Sequence, residues 1–175
     1  MKKGYWIQHP HLFRAVALIA PDIRNSFWSD FTYMIQEQLF LQGYNMYLFC
    51  MNSDPEKERR CLRQVAASHV AGVIASSNLY DEEEVADLYG GLNCPVTFLN
   101  RMLPQERFSA VIQDNFQAGY IATKHLVERG YRRFVFLAGP MNAPIFSQRL
   151  EGFRAALEHS YLPVEPELIR EGRTG

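Results

Sequence analysis

The 175-residue sequence predicts a doubly wound α/β protein, a parallel sheet covered by helices on both faces. Three observations carry this expectation. Short apolar runs recur along the chain, each is followed by a longer stretch of helical periodicity, and turn-forming residues separate them. Parallel strands need long crossovers, and these are right-handed when they return to the same sheet.

"AVALIA" (15–20) is apolar on both faces and reads as a buried strand. A helix is expected from Ser29 to Gln42. Ser29 and Asp30 suit its start, Phe31, Ile35 and Leu39 recur every four residues, and Gly43 can close it in the left-handed conformation. "YNMYLFC" (44–50) is the second strand. The following helix has Ser53 or Asp54 as cap, Pro55 in its first turn, and Glu56 and Glu58 complementing its dipole. "VAGVIAS" (70–76), "PVTFLN" (95–100) and "SAVIQD" (109–114) are strands three to five, with a short acidic-started helix, "DEEEVADLYGG", after the third. The helix at 115–130 has Asn115 as its cap and Gly130 as its stop. "RFVFLA" (133–138), "SQRLEGFRAALEHS" (147–160) and "ELIREG" (167–172) supply a further strand, helix and strand.

Composition narrows the function classes. Hydrophobic residues make up 47% and charged residues 21%, ordinary values for a globular domain, and the net charge of −1 gives no whole-chain case for binding nucleic acid. Cys50, Cys61 and Cys94 are odd in number and form no C-x-x-C pair, so neither a disulfide framework nor a zinc site is expected. "MKKGYWIQHPHLFR" lacks the apolar stretch of a signal peptide, and no run is long enough to span a bilayer. A cytoplasmic protein with no membrane partner is expected. The sequence has no G-K-[ST] loop, no G-x-G-x-x-G after the first strand and no G-x-S-x-G elbow, so no cofactor and no enzymatic activity are predicted. His69, His125 and His159 fall near helix ends, and "DEEE" (81–84) reads as a solvated helix start.

In a doubly wound sheet, ligands bind at the rim formed by the carboxyl ends of the strands. The loops leaving those ends carry Asp22, Asn25, Phe27, Trp28, Asn52, Asn100, Arg101, Asp114 and Ser147, with Arg149 one step into the last helix. Each has two readings. Phe27 and Trp28 either staple the first helix or stack on a ligand. Asp22 and Asn25 are ordinary turn residues as well as polar ligand contacts, and Asp114 also suits helix entry. Arg101 follows a strand end expected to be partly buried, so its guanidinium needs partners, which Asp114 or a polar ligand can supply. Helical periodicity alone leaves Arg149 in solvent.

"VALIAPDIRNSFWSDF", "QGYNMYLF…NSDPEKE", "VAGVIASS", "PVTFLNR", "VIQDNFQAGYIATKHLVERGYRRFVFLAGP" and "RLEGFRAAL" resemble, in order and spacing, the effector-binding core of lactose-repressor/galactose-repressor (LacI/GalR) transcriptional regulators. The resemblance spans about residues 14–172. It implies a periplasmic-binding-protein-like fold, in which two α/β lobes clamp a small ligand. By position, Asn25, Phe27 and Trp28 match the segment lying against the effector, with Ser26 where proline is usual. Arg101 and Asp114 match first-lobe pocket positions, and Ser147 and Arg149 match the second-lobe segment that holds effector hydroxyls or carboxylate.

The implied function is that of the effector-sensing portion of a DNA-binding repressor. Its partners would be a sugar or purine-like effector, a second copy of the chain in a homodimer, and operator DNA reached through a helix-turn-helix domain. "MKKGYWIQHPHLF" matches neither that domain nor its hinge helix. The expected organisation is an irregular leader (1–13), a first lobe (14–130) and an incomplete second lobe (131–175). A transport-type sugar receptor is the alternative of the same fold, and a flavodoxin-like enzyme is a more distant one.

Overall fold

The computed structural model describes residues 14–172 except 53, 80, 104–107, 140, 142 and 143. Within the first unit, β1 (Ala15–Ala20), β2 (Asn45–Cys50), β3 (Gly72–Ala75), β4 (Val96–Leu99) and β5 (Ser109–Val111) form a parallel sheet in the order β2-β1-β3-β4-β5. The expected doubly wound architecture is therefore what the chain forms. β1 pairs on one side with β2 and on the other with β3, which makes the β1/β3 boundary the topological switch point.

α1 (Ser26–Leu41), α2 (Pro55–Ala66) and α3 (Glu82–Gly90) connect these strands. α1 begins three residues before the expected Ser29, because the Asn25 side chain accepts the Phe27 N–H at 2.9 Å and starts the helix there. Asp54 and Asp81 cap α2 and α3 in the same way. Gly43 takes a φ of 75° just beyond α1, as its place after the last apolar residue suggested.

The core packs β1, β3 and β4 against the inner faces of α2 and α3. Ala17, Ile19, Val73, Ala75 and Phe98 meet Leu62, Val65, Val85 and Tyr89. Tyr89 and Phe98 are fully buried, in an edge-to-face pair with centroids 4.8 Å apart. Glu58 departs from expectation: it lies fully buried instead of facing water beside the α2 dipole. Glu84, one of the residues read as a solvated helix start, receives Arg59 of α2 at 2.5 and 3.0 Å.

The second compact unit starts at Gln113. The reason is packing. α4 (Asn115–Glu128) lies against α5 (Pro144–His159), and with β6 (Phe136–Ala138) and β7 (Ile169–Glu171) they form this unit. Asp114, not Asn115, caps α4, accepting the Gln117 N–H at 2.8 Å. β6 and β7 pair in parallel, and Leu150, Phe153 and Leu157 of α5 make a small core with Phe134, Phe136 and Ile169.

Gly119 and Gly152 let the two helices meet backbone to backbone. A methyl group on Gly119 would overlap the Arg149 carbonyl, and one on Gly152 would overlap the Phe116 carbonyl. An apolar groove of about 620 Å³ stays open along α4 and β6, with Ala118, Ala122, Leu126, Val135 and Leu137 among its lining.

Candidate functional site

At the carboxyl rim of the first sheet, the loop after β1 carries Asp22, Arg24 and Asn25. Arg24 grips Asp22 through Nε (3.0 Å) and Nη2 (2.6 Å), while its own N–H donates to the same carboxylate at 2.9 Å. These bonds hold the Asp22 carboxyl at a pKa of about 2. Asp22 is therefore committed to fixing this turn.

Phe27 and Trp28 lie inside the first turn of α1, not in a loop. They build an aromatic cluster with Phe31: Phe27 stacks on Phe31 at 5.8 Å, and Trp28 meets both rings edge-on at 5.6 and 5.7 Å. Phe27 keeps half of its surface exposed, so its outer part is open to contact.

Across the switch point, the loop after β3 runs from Ser76 to Leu79. Arg101, just past β4, donates from Nη1 to the Leu79 carbonyl at 2.5 Å. One partner of this partly buried guanidinium is thus a main-chain oxygen of its own unit. Asn100 immediately before it has φ 57°, and Asn52 after β2 has φ 51°. Asparagine tolerates this left-handed region better than most side chains, and both residues turn the chain at the rim.

In the second unit, the end of α4 that holds Asp114 also holds Arg149. Arg149 is partly buried, contrary to the solvated position that periodicity implied. Its Nε donates to Asn115 Oδ1 at 2.9 Å, and its Nη2 reaches Gln113 Oε1 at 3.4 Å. Asn115 is 5% exposed and itself donates to the Gln113 carbonyl at 3.1 Å. Ser147 lies in the first turn of α5, where its hydroxyl donates to the Pro144 carbonyl at 3.1 Å.

The structure thus gathers Asn25, Phe27, Trp28 and Arg101 at the rim of the first sheet, and Asp114, Ser147 and Arg149 in the second unit. Asn25 and Asp114 each use one side-chain oxygen as a helix cap. Sequence reasoning missed Asn115 and Gln113 as partners of Arg149. The separation of 34 residues between Asn115 and Arg149 carries no local signal. Among the described residues no group of three or more His, Cys, Asp or Glu side chains could hold a metal ion, and no helix is long and apolar enough to cross a membrane.

Residues 14–174 match the family model for periplasmic binding proteins and the sugar binding domain of the LacI family. The chain belongs to this family. Among curated relatives, the HTH-type transcriptional repressor PurR of Actinobacillus pleuropneumoniae serotype 5b is 26% identical over 159 residues, which is 91% of this chain and 47% of the relative. The chain therefore spans about half the length of the curated relatives it matches.

Several similar solved structures hold sugars, and two of them are at 25% identity. A periplasmic binding protein/LacI transcriptional regulator from Alkaliphilus metalliredigens, complexed with D-xylulofuranose, superposes with a TM-score of 0.76 at 25% identity, covering 92% of this chain and 56% of that one. The transcriptional regulator CelR in its cellobiose complex gives 0.77 at 25% identity, covering 93% and 52%.

Proposed function

We propose that this chain is the effector-sensing part of a LacI-type transcriptional repressor, and that its ligand is a small polar ring compound, a sugar or a purine. The match of residues 14–174 to the family's sugar-binding domain carries the reading. It is supported by the sugar complexes of the two related regulators. Asn25, Phe27, Trp28, Arg101, Asp114, Ser147 and Arg149 are the proposed effector contacts. The aromatic edge of Phe27 and Trp28 suits a ring face, and the guanidiniums of Arg101 and Arg149 suit hydroxyls or a carboxylate. The reading assigns no catalysis to these residues: they include no nucleophile paired with a base.

Operator binding belongs, in this reading, to a helix-turn-helix element outside residues 14–172. A homodimer is the proposed assembly state, in a cytoplasmic setting.

The test is a thermal-shift panel of D-xylulose, D-ribose, cellobiose, sucrose, guanine and hypoxanthine on the complete gene product. One compound should raise the midpoint and change tryptophan emission, and Trp28→Phe should remove most of that change. Calorimetry on Arg101→Ala should then show affinity weakened by about 2–5 kcal/mol, as for a truncated charge-assisted donor. A folded Arg101→Ala variant with unchanged affinity would sink that contact, and turnover of any panel compound would replace the whole reading.

A further inference from the structure

Glu58 is a buried acidic side chain with no ionic partner among the described residues. It sits on α2, fully buried, and both of its oxygens accept: Oε1 from the Tyr89 hydroxyl at 2.8 Å and Oε2 from the Asn78 N–H at 2.7 Å. Its other close polar neighbour is the Cys61 thiol, which burial and Glu58 together push up to about 12. A carboxylate taken out of water costs free energy unless its hydrogen bonds are complete, and an apolar side chain of similar size is often equally stable. A residue that served packing alone would have no need of a carboxylate here.

The bond to Asn78 reaches the site. Asn78 and Leu79 lie in the loop after β3, and the Leu79 carbonyl receives the Arg101 guanidinium. The Leu79 N–H is turned back onto Ser77 Oγ at 3.2 Å, which ties the loop on the N-terminal side of that carbonyl. Helix α2 and helix α3 thus hold the loop from below, through Glu58 and Tyr89, while Arg101 binds it from the rim.

We infer that Glu58 is a positioning residue: it anchors the β3–α3 loop through the Asn78 N–H so that the Leu79 carbonyl fixes Arg101 for ligand recognition. This rests on the proposed role of Arg101 in effector binding, but the anchoring itself can be tested without any ligand.

The experiment is amide hydrogen exchange on the full chain, with Glu58→Met, Glu58→Gln and Arg101→Ala. Methionine keeps the unbranched shape and removes both acceptors. Glutamine keeps one oxygen for the Asn78 N–H and can turn its amide toward the Tyr89 hydroxyl. In Glu58→Met, the amides of Asn78 and Leu79 should exchange at least tenfold faster, while those of α2 and α3 stay protected. Glu58→Gln should restore most of the protection. The midpoint drop caused by Arg101→Ala should shrink by half or more in the Glu58→Met background, since the loop it binds is already loose.

A purely structural Glu58 predicts the opposite: additive midpoint drops and loop exchange that follows global stability. Either result overturns the inference. If Glu58→Met fails to fold, loop exchange in Tyr89→Phe decides in its place. Removing one of the two donors on Glu58 should accelerate the Asn78 amide several-fold, and an unchanged rate there also overturns it. Effector affinity that is unaffected by Arg101→Ala would count against the site reading alone and would leave the loop anchoring standing.

Discussion

Asn115 Oδ1 receives the Arg149 Nε–H at 2.9 Å, so a guanidinium on α5 is held by a buried amide at the start of α4. The bond uses one edge of the guanidinium. Among the described residues, the hydrogen bonds of this guanidinium run through Nε and Nη2.

Removing the amide should free the arginine. Asn115→Leu is expected to cost about 1–3 kcal/mol in chemical denaturation, because a partly buried donor loses its acceptor. The Arg149 Nε–H resonance should lose its slow exchange in nitrogen-15 NMR. Asn115→Asp keeps an acceptor and should preserve the signal. Equal behaviour of the leucine and aspartate variants would show that the hydrogen bond does not hold Arg149.

The α4–α5 crossing should tolerate no added atoms. Gly119→Ala and Gly152→Ala each place a methyl group onto a main-chain carbonyl, which a side-chain rotation cannot relieve. Each should destabilise the unit by roughly 1–3 kcal/mol, the usual range for overpacking. Gly43→Ala probes a different effect: its methyl meets open space, and only the φ of 75° resists it. Urea melts of the three variants separate contact from conformation. A Gly119→Ala variant as stable as the parent would mean that the helices can move apart freely.

Acid stability should carry the signature of Asp22. Its folded pKa, about 2, lies below the ordinary value of 3.8. The folded state thus holds the ionised form more tightly than the unfolded chain does. This contribution is complete above about pH 4 and disappears as the pH falls toward 2. Asp22 remains partly open to solvent, so the effect is modest. Asp22→Asn should flatten the stability profile in that window and leave its shape above pH 5 unchanged; a parallel profile across pH 2–4 would contradict the assignment.

Self-association should use the outer face of α1. Tyr33, Met34, Phe40 and Leu41 are 55–74% exposed there, and Tyr47 is exposed on the edge strand β2. An apolar helix face beside an open sheet edge favours a symmetric contact. Light scattering should show a dimer or larger species, and Phe40→Glu with Leu41→Lys should shift it to monomer. A stable monomer of the parent chain at high concentration would rule this face out.

The strands and helices were legible because their signals are local. "AVALIA" is apolar on both faces and buried nearly throughout, and Asp54, Gly43 and Gly130 announce ends through short-range chemistry. The helix starts moved for an equally local reason. Asn25 and Asp114 are the capping oxygens, and each precedes the residue that sequence reasoning favoured. What could not be read were relationships across the chain. Glu58 looked like one more first-turn acid, because nothing near it in sequence shows that Tyr89 and Asn78 close over it. Arg149 looked solvated because its partner lies 34 residues earlier. The packing of α4 on α5 was equally silent, since the fit of Gly119 against the Arg149 carbonyl joins residues 30 apart.

The capping oxygens of Asn25 and Asp114 also set the vocabulary of those two positions. Helix initiation asks only for a short side chain with an acceptor, so Ser, Thr, Asn and Asp all satisfy it at small differences in stability. Those four residues differ in reach, charge and number of donors. A library confined to them at positions 25 and 114 would vary what the rim and the second unit present to a ligand while leaving both helices intact. The chemistry of these two points can therefore diverge without passing through unfolded intermediates.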